Sequence, residues 1–222
     1  MDALDRLAEP GLDLLDRVDT LLAVGAPDGH RLWPLLRRMQ VLPGEAVRGF
    51  LDLHPEPLAR AGRAVRGLIP TCDAVCGTLS DPVIWSGPTA SAYDQARSAL
   101  LRHLDEGPES LVGRLESTAG YADALADWVE GSRRALARAL ADVLGSVEAV
   151  RVRAATVPGA EPGSAALLAA ADIAHRVLAV LGVAYDGAET LLRQWSPSLA
   201  ESIWRGPVVG PAPYDRVVRV GY

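Results

Sequence analysis

Apolar residues recur at alternating intervals of three and four through most of this chain, and this spacing restricts its fold more than any other feature. Between residues 58 and 79 the series is Leu58, Ala61, Val65, Leu68, Cys72, Val75 and Leu79. A period near 3.6 places such positions on one face of an α-helix. Only 5% of the residues are aromatic, so the core has to be built mainly from Ala, Leu and Val, which favours closely packed helices over a sheet. The sequence predicts an all-α protein.

Turn residues divide this pattern into five helical regions. The predicted helices cover residues 2–24, 32–40, 57–80, 88–150 and 164–195, and a further short turn of helix is expected over 46–53. Proline removes a backbone donor, so breaks or kinks are expected at Pro10-Gly11, at Pro70 and at Gly107-Pro108.

The predicted architecture is an elongated antiparallel helical bundle built on a long helical hairpin. A single bundle domain is expected over residues 1–196, with N-terminal helices in 1–54, the hairpin in 55–153 and a C-terminal helix in 164–196. The short connection before the last helix favours an antiparallel return over the second arm of the hairpin. Residues 197–222 are rich in Pro, Gly and Val and predict an irregular or extended tail.

The tail carries aromatic residues that are candidates for binding a partner. Trp204, Tyr214 and Tyr222 lie among valines that suit an added strand or a segment lying in a groove. A segment this apolar either docks on its own bundle or is kept for another protein, and the sequence leaves both open.

Charge and hydropathy exclude two classes of partner. The net charge of -6 argues against nucleic-acid binding, which needs a basic excess, and the arginines near residues 133–153 alternate with acidic residues as on a solvated helix face. That group consists of Arg133, Arg134, Arg138, Arg151 and Arg153. No run reaches about 18 uninterrupted apolar residues, so we expect no membrane span. The acidic start Met1-Asp2 predicts no cleaved signal peptide.

The residues needed for catalysis are not assembled in the sequence. The four histidines are scattered, and Asp172 with His175 has the spacing of only half a carboxylate di-metal site. A phosphate-binding loop ending in Lys is excluded because the chain has no Lys, and no Gly-x-Ser-x-Gly elbow is present. We therefore predict no enzyme activity and no catalytic, cofactor-binding or metal site. Cys72 and Cys76 are interpreted as small buried core residues.

A triplet, Trp85-Ser86-Gly87, lies where the two long helical patterns meet. Gly87 tolerates a positive φ, Pro88 suits the first position of a helix, and Trp85 is expected to fill the tip of the hairpin. A tight turn between two helices is the natural interpretation of this segment.

This arrangement, over about residues 55–150, resembles the WXG family of type VII (ESX) secretion proteins, which carry Trp-x-Gly at the bend of a helical hairpin. The resemblance implies a non-enzymatic protein that is an exported substrate or the binding partner of one and that acts through helix-helix association. Partners would be another helical-hairpin protein or a second copy of this chain, and also a secretion ATPase or a chaperone. The exclusive use of Arg among the 22 basic residues suits a GC-rich genome such as that of an actinobacterium, where the family is common.

Two features qualify the resemblance. The extra helices at both ends could complete a bundle within one chain, so obligate dimerisation does not follow. Tyr185 and Glu189 match the family's Tyr-x-x-x-Asp/Glu export signal, but Tyr185 also fits a core position with its hydroxyl at the edge. The location is accordingly either secreted without a cleaved signal peptide or cytoplasmic. The alternative function is a cytoplasmic helical scaffold or regulatory protein-interaction module with no export role.

Overall fold

The computed structural model describes residues 1–81, 84 and 86–201, and all regular structure in these residues is α-helical. The all-α prediction is confirmed. The helices are α1 (Ala3–Val24), α2 (Leu32–Met39), α3 (Pro43–Leu51), α4 (Pro55–Arg66), α5 (Ile69–Leu79), α6 (Pro88–Asp105), α7 (Leu111–Leu144), α8 (Val147–Ala155) and α9 (Ser164–Glu201).

The two prolines at which a break or kink was expected, Pro10 and Pro70, have different effects on their helices. Helix α1 continues through Pro10, so of the break or kink expected there the break does not occur. Pro10 lies on the exposed side, where water can bond the carbonyl that it leaves free, while Gly11 is buried against Leu140 of α7. At Pro70 the effect exceeds the predicted kink, since α4 ends at Arg66 and α5 is a separate helix with proline in its first turn.

Two further differences concern the second arm and the last helix. The second arm is interrupted between α6 and α7 near Gly107, as predicted, and again between α7 and α8, where the Ser146 hydroxyl accepts the Ala149 amide at 3.2 Å. This second break was not predicted from the apolar pattern, which continues across it. Helix α9 passes through Pro197 and extends to Glu201, beyond its expected end at Trp195.

The described chain separates into two compact units. The first consists of Met1–Ala61 with Tyr121–Gln194, and the second of Gly62–Gly120 with the described residues from Trp195 onward. In the first unit α1 packs against α3 and α8, and α7 and α9 complete an apolar core. Its fully buried side chains include Leu4, Leu14, Leu15, Leu21, Phe50, Leu136, Leu140, Ile173, Leu178 and Leu181. As expected from the composition, one aromatic residue and many aliphatic ones form this core.

Arg133 of α7 is buried in the first unit, with 2% of its side chain exposed. Its Nε donates to Asp2 at 2.6 Å and its Nη2 to Asp5 at 2.5 Å, while Nη1 donates to the carbonyl oxygens of Leu51 and Leu53, both at 2.9 Å. The interpretation of the arginine group as a wholly solvated face is therefore wrong at this position. One guanidinium joins the start of α1, the end of α3 and the middle of α7.

A second polar contact holds the opposite end of α3. The Asp19 carboxylate of α1 accepts the Gly44 amide at 3.1 Å, which satisfies a donor that the first turn of a helix leaves unpaired. Burial, opposed by this hydrogen bond, raises the pKa of Asp19 to about 6. A Cβ on Gly44 would lie 2.5 Å from Asp19 Oδ2, so alanine at this position would force the carboxylate to shift.

Within the described part of the chain, one helical segment, Ser164–Leu199 of α9, has the length and apolar composition that a membrane crossing needs. In its most apolar window 56% is buried inside the protein. The core helix of a folded bundle meets the same test, so the property is weak evidence for a membrane location.

Replacing Arg133 by Met should lower the free energy of unfolding by about 3 kcal/mol or more, because two carboxylates and two carbonyl oxygens lose their shared donor. Arg134→Met is the matched control: this neighbouring side chain is exposed and pairs with Glu130 on its own helix, so a change below about 0.5 kcal/mol is expected. Urea unfolding followed by circular dichroism measures both values. Equal effects at the two positions would contradict the role given to Arg133.

Two glycines of α3 should respond in opposite directions to alanine. Gly44→Ala displaces the Asp19 carboxylate and should cost about 1–2 kcal/mol of stability. Gly49→Ala meets nothing within 4 Å and lies on the exposed side of the same helix, so it should add up to about 1 kcal/mol through helix propensity. Thermal unfolding of both variants tests the pair, and stabilisation by Gly44→Ala would refute the contact with Asp19.

Candidate functional site

The expected hairpin turn lies between α5 and α6, which pack against each other. Gly87 precedes α6 with a φ of 117°, a value suited to glycine, and Pro88 occupies the first turn of α6, both as predicted. Trp85 lies outside the described residues. The sequence analysis missed Arg97 of α6, whose Nη1 donates to the carbonyl oxygens of Leu79 at 3.0 Å and Asp81 at 2.6 Å and so fastens the end of α5.

The α5–α6 pair buries very few side chains. No residue of α5 is buried, and Ala90 is the buried residue of α6. Leu68 is 53% and Val75 45% exposed. Cys72 and Cys76 are free thiols and only partly buried, so their interpretation as buried core residues is wrong. The apolar stripe of residues 58–79 is divided between α4 and α5, with Leu68 between the two helices, and its members Leu68 and Val75 are accessible.

Tyr185 and Glu189 lie one turn apart on α9, in the first unit. Tyr185 is 47% exposed, and the Glu189 carboxylate is paired with Arg193 at 3.5 Å. Tyr185 does not belong to the apolar core cluster. Both side chains are therefore accessible on one helix face. Trp204, Tyr214 and Tyr222 of the tail lie outside the described residues.

A shallow groove runs between α7 and α9 in the first unit, with a volume of about 560 Å³. Its lining residues are Trp128, Gly131, Ser132, Ala135, Ala179, Val180, Val183, Ala184 and Gly187. Trp128 fixes one end: its Nε1 donates to the Ala184 carbonyl oxygen at 2.9 Å, and its ring meets that of Phe50 edge-on at a centroid distance of 6.1 Å. Trp128 was not predicted from the sequence, because the apolar stripe of α7 follows the neighbouring positions.

Asp172 and His175 of α9 meet His30, which the sequence analysis had treated as isolated. The His30 Nδ1 accepts the Leu32 amide at 3.1 Å, so the proton of the neutral ring is on Nε2, which lies 3.3 Å from Asp172 Oδ1. Arg31 reaches the same carboxylate oxygen at 3.3 Å, and the two imidazole rings are 6.5 Å apart, edge to face.

This cluster links two helices of the first unit. Its hydrogen bonds attach the start of α2 to α9. Across the residues that the structure describes, no group of three or more His, Cys, Asp and Glu side chains is arranged to hold a metal ion. Burial, with the nearby positive charge of Arg31, lowers the pKa of His175.

No family model, no curated protein and no solved structure matches this chain.

The lowered pKa of His175 gives a pH-dependent stability. The pKa of His175 is lower in the folded state than its unfolded value of 6.5, so protonation of this histidine favours the unfolded chain. The stabilising contribution is therefore complete above pH 6.5 and is lost as the pH falls through the folded pKa. The stability of His175→Gln relative to the parent chain should therefore rise as the pH is lowered from about 8 to 5. His54→Gln, at an exposed position between α3 and α4, is the control. Urea unfolding across this range checks the prediction, which fails if both variants change in parallel.

Proposed function

We propose that this protein is a non-enzymatic, WXG-like helical protein of a type VII (ESX) secretion system, either an exported substrate or the partner of one. In this proposal the α5–α6 hairpin associates with a helical hairpin of another protein. The observation that carries it is the lack of fully buried residues in α5, although Cys72, Val75 and Leu79 of the predicted apolar series lie on this helix.

Physical reasons favour a partner at this face. A helix of 11 residues, such as α5, is marginal in water by itself and depends on packing, which α6 supplies only in part. Most helical stability in proteins comes from burying an apolar face, and α5 buries none of its residues completely. A second hairpin packed on the stripe would cover Leu68 and Val75 and supply that stability.

The exposed positions of Tyr185 and Glu189 support the export part of the proposal. A signal that is read by a secretion ATPase has to be accessible in the folded protein. The phenol ring and the carboxylate are separated by one helical turn on an exposed face, so one binding surface can contact both.

Export and hairpin pairing are tested together in a strain with an intact type VII system and in one lacking its ATPase. We expect the parent chain in the culture medium of the first strain alone. Leu68→Ser with Val75→Ser should reduce both the exported amount and the complex with a co-expressed helical-hairpin partner by at least about tenfold, because polar side chains remove the apolar contact.

Val147→Ser with Val150→Ser is the matched control, since these two valines are also exposed on a short helix, α8. It should leave export and complex formation unchanged. Retention of the parent chain in cells with an intact system would overturn the export proposal and favour a cytoplasmic helical scaffold. Export independent of the ATPase would also contradict it.

A further inference from the structure

Two thiols lie one turn apart on α5. Cys72 and Cys76 are the two cysteines of the chain, and both are free and only partly buried. Residues four apart in a helix share one face, with about 5–6 Å between their Cβ atoms. A disulfide needs its Cβ atoms about 3.5–4.5 Å apart, so it does not fit this pair unless the helix is distorted. The two thiols are therefore neighbours that a disulfide does not join.

A single metal ion fits the same separation. A bond between a metal and a thiolate sulfur is about 2.3 Å long, so an ion held between two sulfur atoms keeps them up to about 4.6 Å apart. Rotation about χ1 brings the two sulfur atoms to this distance while the backbone stays helical. The spacing that opposes a disulfide is therefore the spacing that a metal bridge needs.

The number of available ligands decides which metal the pair suits. Structural Zn²⁺ sites take four protein ligands. Among the residues that the structure describes, no group of three or more His, Cys, Asp and Glu side chains is arranged to hold a metal ion. Soft thiolate ligands select Cu(I), and this ion accepts two sulfur ligands in line. Two thiols without further ligands therefore suit Cu(I) better than Zn²⁺.

We propose that Cys72 and Cys76 together bind one Cu(I) ion as a pair of thiolates on the intact α5 helix. On binding, each S–H bond breaks and releases its proton to solvent, and two copper–sulfur bonds form. Copper remains Cu(I), so the step needs no oxidant or reductant. The resulting complex carries one net negative charge.

The surroundings of Cys76 agree with this assignment. Cys76 lines a shallow recess of about 400 Å³ between α5 and α6, together with Arg102 and Asp105. Burial, followed by the nearby charges of Asp105 and Asp73, raises the pKa of Cys76. The thiol is therefore kept in its protonated form, which oxidants attack slowly, until a metal ion displaces the proton. Arg102 supplies a positive charge in the same recess as the negatively charged complex.

This site does not depend on the proposed secretion function. Metal binding is measured on the purified chain without a partner, whereas hairpin pairing needs a second protein. Leu68→Ser with Val75→Ser leaves both thiols in place and should therefore retain Cu(I) binding. The two proposals accordingly fail separately.

Anaerobic titration of the reduced full chain with Cu(I), in competition with bathocuproine disulfonate, tests the proposal. We expect one Cu(I) per chain. Cys72→Ser or Cys76→Ser should raise the dissociation constant at least about a hundredfold, because one of the two copper–sulfur bonds is lost. Thr78→Ala is the matched control on the same helix: its exposed hydroxyl donates to the Ala74 carbonyl oxygen at 3.0 Å, so its loss should leave the constant unchanged.

A change of spacing provides the second measurement. Cys72→Ala with Ala74→Cys keeps two thiols, but residues two apart on a helix do not face each other. Ala74 is exposed, so a thiol is tolerated there, and this variant should bind Cu(I) as weakly as the single substitutions. Circular dichroism verifies that every variant remains helical.

X-ray absorption of the copper-loaded parent chain counts the ligands directly. We expect two sulfur atoms at the metal. A parent chain that binds no Cu(I), a spacing variant with the parent's affinity, single substitutions without effect, or three or more ligands at copper would overturn the proposal.

Discussion

The buried guanidinium of Arg133 is the interaction on which the first unit depends. Moving an arginine out of water is costly unless its donors are all bonded, and here two carboxylates and two carbonyl oxygens supply the partners. The hydrogen bond to Arg133, opposed by partial burial, lowers the pKa of Asp2 to about 2. Because these partners belong to α1 and to the end of α3, the arginine is satisfied only when both helices are correctly placed against α7.

Arg133 and Asp19 together fix α3 at its two ends. Asp19 bonds the Gly44 amide at the start of this helix, and Arg133 bonds the carbonyl oxygens at its end. A core of Leu, Ala and Val has interchangeable shapes and by itself allows neighbouring registers. The polar contacts at the two ends of α3 can form in only one register of this helix against α1 and α7. We therefore regard these contacts as the source of the helix's specific position and the apolar core as the main source of stability.

The spacing of apolar residues along the sequence predicted the helices. The buried Arg133 and the Trp128 groove depend on contacts between residues distant in sequence, and such contacts could not be predicted. Three-four spacing, Gly87 and Pro88 were sufficient for the helical class and for the start of α6, since both depend on neighbours in sequence. In the sequence Arg133 could not be distinguished from its exposed neighbour Arg134. The carboxylate that binds it, that of Asp2, is far away in sequence, whereas Arg134 pairs with Glu130 on its own helix. The Trp128 groove was missed for the same reason: its second wall comes from α9.

The difference in burial between α5 and the helices of the first unit bears on whether a chain with additional helices would still need a partner. The sequence allowed the additional helices to complete the bundle within one chain, which would have removed the need for a partner. Yet no residue of α5 is buried in the presence of all these helices, while α1, α7 and α9 are extensively buried in the first unit. The additional helices of the first unit form a core of their own. Extra length is therefore compatible with the partner that we propose for the α5–α6 hairpin.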